Sequence, residues 1–152
     1  MRESIIADTS SLIALEKIDL LPLLCKMYGE VVVTESVANE FGNLFLPCIS
    51  LKRVESNLIT LLTIDLNLGK GEADVIALAT QTGRKVIIDD SKARKVAENI
   101  GVEVTGTIGI LMKAEQVGLI PNAYEKAKEL REKGFYVSDA LLRDISRFGK
   151  TA

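Results

Sequence analysis

Several carboxylates in this chain stand where apolar strands end or beside the apolar stripe of a helix. They are Asp8, Glu40, Glu72, Asp74, Asp89 and Asp90. Carboxylates that are brought close together repel one another unless a cation lies between them. Oxygen ligands of this kind suit Mg²⁺ or Mn²⁺, which lower the pKa of a bound water and hold a phosphate oxygen. The sequence therefore predicts a metal site, and its natural substrate is a phosphodiester.

Each of these acids also has a structural interpretation. Asp8 precedes a helix and can cap it, whereas only one of the adjacent Asp89 and Asp90 is needed to cap the helix that begins at Ser91. The doubled acid is therefore the stronger indication of function. Glu40 can be a solvated helix residue, and Glu72 lies in a first helical turn, where the macrodipole favours any acid.

The spacing alone leaves open whether Glu72 or Asp74 points to the site. Both lie in the segment 71–82, which has the apolar spacing of a helix. Glu72 precedes Val75 and Ile76 on the side that packs, and Asp74 lies nearer to Ala77.

The composition excludes several other kinds of hydrolytic site. The chain of 152 residues contains no histidine, which removes Ser-His-Asp and Cys-His devices and the usual zinc ligands. Cys25 and Cys48 lack the C-x-x-C spacing and are predicted to be reduced packing residues. A net charge of −2 argues against strong non-specific nucleic-acid binding by the whole surface. Any hydrolysis is then built from carboxylates and hard metal ions.

A small basic set accompanies the acids. It consists of Lys70, Lys92, Arg94 and Lys95. These residues are predicted to hold phosphates of a single strand near the metal, although most exposed basic residues have no such role. The segment 122–133 alternates basic and acidic residues and is predicted to be a solvated helix face.

Strands and helices alternate along the chain. Strands are predicted at residues 4–7, 31–33, 86–88 and 102–104, with one more edge strand at 135–137. Helices are predicted from cap candidates at residues 9–11 and from Thr34, and at 20–28, 71–82, 91–100, 106–117, 122–133 and 138–147. The region 41–68 is left unassigned, because its apolar run 58–64 fits either a buried strand or a short helix.

This alternation predicts a three-layer α/β/α fold with a central, mainly parallel sheet of four to five strands. Ligands of such sheets gather outside the carboxyl ends of the strands, where Asp8, Asp89 and Asp90 fall. Residues 1–148 are predicted to form one domain, followed by a short tail at 149–152. The apolar run at residues 5–7 is too short for a signal peptide or a membrane span, so a soluble cytoplasmic protein is expected.

Four segments, in order, resemble the motifs of the PIN-domain family. They are IIADTSSLI at 5–13 with Asp8, VANE at 37–40 with Glu40, GEADVIALA at 71–79 with Glu72, and VIIDDSKAR at 86–94 with Asp90. In the third motif Glu72 fits the acid position more naturally than Asp74, although the family usually has aspartate there. In the fourth motif Asp90 is the better match and Asp89 its neighbour. Residues 101–111 look like a subfamily of short, largely uncharacterised prokaryotic PIN proteins.

The resemblance implies a Mg²⁺- or Mn²⁺-dependent endoribonuclease that cleaves single-stranded RNA, such as the VapC-like toxins of prokaryotic toxin–antitoxin pairs or a related RNA-processing nuclease. Asp8, Glu40, Glu72 and Asp90 would be the catalytic, metal-binding acids, with Asp74 and Asp89 as further candidate ligands. Thr9 or Ser10 would help to position ligands. An antitoxin protein and a second copy of the chain are implied as partners.

Two alternatives belong to other functional classes. One is a PIN-like module that binds nucleic acid or protein without cutting it, which tight Mn²⁺ binding without cleavage would indicate. The other is a receiver-like phospho-acceptor domain, for which Asp89 and Asp90 would form the acidic pocket. That domain needs a threonine and a lysine on later strands, and no lysine falls in a predicted strand after Val104. Labelling by acetyl phosphate would distinguish it.

Overall fold

The computed structural model describes the backbone of residues 3–151 and the side chains of residues 3–147. The elements up to the middle of the chain are β1 (Ser4–Ala7), α1 (Thr9–Lys17), α2 (Leu23–Met27), β2 (Glu30–Thr34), α3 (Glu35–Phe41), β3 (Ile49–Lys52), α4 (Asn57–Thr60) and a π-helical turn (Leu61–Asp65). They are followed by α5 (Lys70–Thr82), β4 (Lys85–Ile87), α6 (Ser91–Asn99), β5 (Val104–Thr105), α7 (Thr107–Gln116), α8 (Ala123–Glu132) and α9 (Asp139–Thr151).

The five strands form one sheet in the order β3-β2-β1-β4-β5, and every strand pair in it is parallel. Strand β1 is central: Ile6 is paired with Val32 on one side and Val86 on the other. The three side chains are fully buried, because helices cover both faces of a parallel sheet. The three-layer α/β/α fold with four to five strands is therefore confirmed.

The strand order creates a crevice at one edge of the sheet. From β1 the chain first adds β2 and β3 on one side, and it then returns to add β4 and β5 on the other. Ligands of open parallel sheets bind at such a reversal, outside the carboxyl ends of the strands. Asp8 directly follows β1, and Asp89 and Asp90 follow β4, so these residues lie at the reversal.

Several predicted boundaries differ from the structure. Helix α1 is capped by Asp8 and not by residues 9–11, because the Asp8 side chain accepts from the Ser11 backbone amide. The helix predicted at 20–28 begins only at Leu23, after Asp19 adopts a left-handed φ of 56°. In the region left unassigned, 49–52 is a strand and 57–65 is helical, so the helix alternative for 58–64 is confirmed.

The edge strand predicted at 135–137 is absent, because this segment closes helix α8 instead of joining the sheet. The backbone amide of Phe135 donates to the Leu130 carbonyl at 3.1 Å, after Gly134 has taken a φ of 97°. Strand β5 likewise begins later than predicted, since the Val102 amide donates to the Ala97 carbonyl of α6 at 2.9 Å. Helix α9 runs to Thr151 and continues past the predicted domain boundary at residue 148. The boundary itself stays a prediction. Residue 152, the last of the predicted tail, lies outside the described residues.

Cys25 and Cys48 form a disulfide, so the prediction that both are reduced packing residues is wrong. Helix α2 packs on β2, and the Val31 amide of β2 donates to the Cys48 carbonyl at 2.9 Å. Pairing between β2 and the β3 segment thus brings together two cysteines that are 23 residues apart, with their Cα atoms separated by 5.6 Å. The absence of C-x-x-C spacing carried no information about this pairing.

Within residues 3–151, every helix is too short or too polar to cross a membrane.

Candidate active site

A pocket of about 330 Å³ lies at the crevice and is lined by Asp8, Thr9, Ser10, Glu40, Gly69, Lys70, Gly71, Glu72 and Asp90. We call it the acid pocket. Its carboxylates come from four places in the fold: the end of β1, helix α3, the first turn of α5 and the junction of β4 with α6. The structure therefore brings together the four acids that the sequence motifs singled out.

Asp8 is the most buried of these acids, with 3% of its surface exposed. Its carboxylate caps helix α1 by accepting from the Ser11 amide at 2.9 Å, and it also accepts from the Ser11 hydroxyl. Burial raises the pKa of Asp8 to about 6, with further increases from the charges of Asp89 and Glu72, while the bonds from Ser11 lower it. Asp8 thus both caps a helix and has a strongly raised pKa.

Glu72 and Asp90 both line the acid pocket, and the charge of Asp90 acts on Glu72. Burial is the main cause that raises the pKa of Glu72, followed by the charges of Asp90 and Glu40. The Gly69 amide and the charge of Lys92 act in the opposite direction. Asp90 caps helix α6 by accepting from the Ala93 amide at 2.9 Å. The raised pKa of Glu72 reflects both its burial and the repulsion among the gathered carboxylates.

Glu40 reaches the acid pocket because helix α5 carries a glycine beneath it. A Cβ atom on Gly71 would lie 2.5 Å from Oε1 of Glu40, closer than real Cβ atoms approach other atoms. Gly69, in the same turn, differs in this respect, since a Cβ there would meet Oε1 of Glu72 at an ordinary 3.5 Å. Gly71 therefore determines where the Glu40 carboxylate rests.

Asp74 does not line the acid pocket. Its side chain is 8% exposed, accepts from the Ser36 hydroxyl of α3 and lies 3.6 Å from the Lys70 ammonium. Its other oxygen, Oδ1, is buried without a hydrogen-bond partner. The structure places Glu72 in the acid pocket and Asp74 in the contact between α3 and α5.

Asp89 is held by the start of helix α7. Its two oxygens accept from the Thr107 amide at 2.7 Å and from the Thr107 hydroxyl at 2.5 Å. Gly106 permits this approach, because a Cβ there would lie 2.9 Å from Oδ1 of Asp89. The neighbouring acids thus have different partners: Asp90 lines the acid pocket, whereas Asp89 joins β4 to α7.

The basic residues are placed unevenly. Lys70 lines the acid pocket, and Lys92 is close enough to Glu72 to lower its pKa. Arg94 lines an adjoining groove and donates to the Ile88 carbonyl at 3.5 Å. Lys95 is exposed on α6 and lines neither cavity.

The acid pocket matches a hard divalent cation in the chemistry of its donors, since carboxylate oxygens line it and the Thr9 hydroxyl in its wall is buried without a hydrogen-bond partner. Its side chains do not stand in ligand positions: in the described part of the chain, no three acidic or cysteine side chains are close enough to hold one ion. Because Asp8 and Asp90 are held by the amides that they cap, the longer Glu40 and Glu72 side chains would have to move inward to hold a cation with them.

Sequence patterns missed the adjoining groove, which has a volume of about 570 Å³ and shares Ser10 and Asp90 with the acid pocket. We call it the apolar groove. Its apolar lining is formed by Ile108, Met112, Leu130, Phe135, Val137 and Leu141. In the sequence the apolar run 135–137 predicts an edge strand, whereas the structure leaves Tyr136 of this run 94% exposed beside the groove.

A family model described as a PIN domain matches residues 4–150. Searches of curated proteins and of solved structures gave no match. PIN domains are generally nucleases and typically use divalent metals. The parallel sheet, the position of the acids at its crevice and a match over almost the whole length agree, and the chain belongs to the PIN-domain family.

Proposed function

We propose that this protein is a Mg²⁺- or Mn²⁺-dependent endoribonuclease that cleaves the phosphodiester bonds of single-stranded RNA. The observation that carries the proposal is the acid pocket, in which carboxylates from four separate elements converge. None of these four carboxylates forms an ion pair within the side chains described. Gathering such charges costs free energy, which a bound cation would recover.

In this proposal Asp8, Glu40, Glu72 and Asp90 hold the cation. When bound, the ion supplies charge stabilisation to the phosphate and lowers the pKa of a water molecule. Asp8 and Asp90 are fixed in orientation by the amides that they cap. The N-termini of α1 and α6 therefore lie at the acid pocket, and their positive dipole ends favour an anionic phosphate there.

The remaining lining residues position the substrate. The Lys70 ammonium is mostly exposed and lies at the pocket, where it can pair with a phosphate as well as with Asp74. Thr9 and Ser10 follow Asp8 directly, and their hydroxyls supply hydrogen bonds to water or to phosphate oxygens.

The direct test is the cleavage of an end-labelled single-stranded RNA by the purified protein. We expect cleavage in Mn²⁺ or Mg²⁺, none after EDTA, and recovery when the metal is restored. The reason is that carboxylates alone provide no Lewis acid to polarise the phosphate or to lower the pKa of water. Cleavage that persists at full rate in EDTA would contradict the proposal.

We expect Gly71→Ala to weaken Mn²⁺ binding by on the order of tenfold while leaving the fold intact, because the added Cβ displaces the end of the flexible Glu40 side chain. Alanine also suits a helical position better than glycine, by up to about 1 kcal/mol. Titration calorimetry with Mn²⁺ measures the first effect, and thermal unfolding in EDTA measures the second. The unaltered protein is the reference, since Gly69, the other glycine of the pocket lining, donates its amide to Glu72 and is not neutral. Equal Mn²⁺ affinity in Gly71→Ala and the unaltered protein would contradict the placement of Glu40.

The biological setting that we propose is the cytoplasm, where the Cys25–Cys48 disulfide would be exposed to reduction. There the protein would act as the toxin of a toxin–antitoxin pair or as a related RNA-processing nuclease. An antitoxin and a second copy of the chain are its proposed protein partners. The support is the resemblance of the four motifs to those of the PIN-domain family, which includes the VapC-like toxins. Growth arrest on expression, relieved by Asp8→Asn and by a neighbouring gene, would be the expected result for a toxin.

A second candidate is a PIN module that binds RNA without cutting it. It is favoured by one observation: the carboxylates of the described residues are not poised as a ready set of three ligands. Saturable Mn²⁺ binding without cleavage of varied single-stranded RNAs would select this candidate.

A further inference from the structure

The apolar groove continues directly from the acid pocket. Ser10 and Asp90 belong to the linings of both, so a ligand at the acids is adjacent to the groove. Helix α7 contributes Ile108 and Met112 to one wall, and the segment after α8 contributes Phe135 and Val137 to another. The volume of about 570 Å³ is in the range of small-ligand sites.

The rim of the groove exposes aromatic and apolar surface to water. The Tyr136 side chain is 94% exposed, and Leu141 on α9 is 36% exposed. Exposed apolar side chains at the rim of a cavity are typical of a ligand-binding groove. Because so little of Tyr136 is buried, few contacts would be lost if its ring turned over the groove.

The charges of the groove favour a neutral ring over a phosphate. Asp89 and Asp90 both line it, and Arg94 is the basic residue of its lining. A phosphate here would meet two carboxylates and one guanidinium, which is unfavourable. An aromatic ring would instead contact apolar walls, stack on Tyr136 and accept a cation–π contact from Arg94.

We propose that the apolar groove binds the nucleobase of the RNA nucleotide that adjoins the scissile phosphate, with Tyr136 stacking on the base. This inference rests on the proposed ribonuclease function. The shared wall places base and phosphate of one nucleotide in neighbouring cavities, and stacking on an aromatic side chain accepts every base. The groove thereby orients single-stranded RNA, whose bases are free to turn outward.

Tyr136→Ala tests the proposal, with Phe45→Ala as the matched control. Phe45 is also an exposed aromatic residue, at 85%, but it lines neither the acid pocket nor the apolar groove. We expect Tyr136→Ala to weaken the binding of a short single-stranded RNA by on the order of tenfold and Phe45→Ala to leave it unchanged. Fluorescence anisotropy in the Asp8→Asn background measures the affinity without cleavage.

Two modified RNAs show whether the base is the group recognised. An oligonucleotide with one abasic residue should bind the unaltered groove more weakly than the complete oligonucleotide does. The Tyr136→Ala protein should bind the abasic oligonucleotide no more weakly than the unaltered groove binds it, because both changes remove the same contact. An oligonucleotide with one 2-aminopurine should lose fluorescence on binding through stacking, and Tyr136→Ala should remove this quenching. Additive losses, or quenching that survives Tyr136→Ala, would overturn the base subsite.

The outcomes separate this inference from the ribonuclease proposal. Metal-dependent cleavage without any effect of Tyr136→Ala overturns the subsite and leaves the nuclease. Base-dependent binding by a protein that never cleaves overturns the nuclease and leaves the subsite. If Tyr136→Ala converts a dimer to a monomer in sedimentation and leaves RNA binding unchanged, a second copy of the chain occupies the groove and the inference is wrong.

Discussion

Asp8→Asn is expected to abolish the Mn²⁺-dependent cleavage of single-stranded RNA, with a loss on the order of a thousandfold, because it removes about 4 kcal/mol of metal-derived stabilisation of the transition state. The fold should survive. Asparagine keeps an oxygen that can accept from the Ser11 amide, so the cap of helix α1 is retained. The charge at the centre of the acid pocket is the property that changes.

Single-turnover cleavage of labelled RNA measures the loss, and circular dichroism with thermal unfolding shows whether the fold is intact. Asp65→Asn is the control, since Asp65 is exposed at the end of the π-helical turn and lies outside the acid pocket. Full activity in Asp8→Asn would overturn the assignment of the active site. An equal loss in Asp65→Asn would show that the effect is not local.

The second large effect concerns stability without metal. Asp8 has a pKa of about 6 in the folded protein against an ordinary value of 3.8, so the folded state holds its proton more tightly than the unfolded state. The stabilisation is fully present below pH 3.8 and is lost as the pH rises through about 6. About two pKa units correspond to about 3 kcal/mol.

Chemical unfolding in EDTA across this range, in parallel for the unaltered protein and Asp8→Asn, isolates the contribution. Asparagine carries no charge at any of these pH values. The free energy of unfolding of the unaltered protein, relative to that of Asp8→Asn, should therefore fall by up to about 3 kcal/mol between pH 4 and pH 7. Taking the difference cancels carboxylates with the opposite trend, such as Glu30, whose pKa is lowered by the hydroxyl of Ser4. A difference that does not vary with pH would contradict the burial of a charged Asp8.

The sequence was sufficient for the central sheet and for the edge at which the acids gather. Continuous apolar runs such as 31–33 and 86–88 can be buried on both faces only in a parallel sheet. Asp8 follows such a run directly and Asp90 follows one after Asp89, so their position at the crevice depended on local pattern alone. Strand β3 was not predicted, because its residues are only partly buried or exposed at the sheet edge and show no clean alternation.

The choice between neighbouring acids depended on contacts that are distant in sequence. Asp74 is turned toward Ser36, which lies 38 residues earlier, and Asp89 toward Thr107, which lies 18 residues later. No local period reports such partners. The same reason explains the disulfide and the apolar groove, which both depend on how separate elements pack.

The disulfide has a topological consequence for the acid pocket. Its two cysteines enclose β2 and the whole of helix α3, so Glu40 lies within a covalently closed ring, whereas Asp8, Glu72 and Asp90 lie outside it. Closing a ring of this length removes about 3 kcal/mol of chain entropy from the unfolded state. Helix α3 also packs on α1 and α5, so the disulfide adds a covalent tether to packing that Glu40 shares with the other acids. Reduction would remove that tether from Glu40 alone among the four.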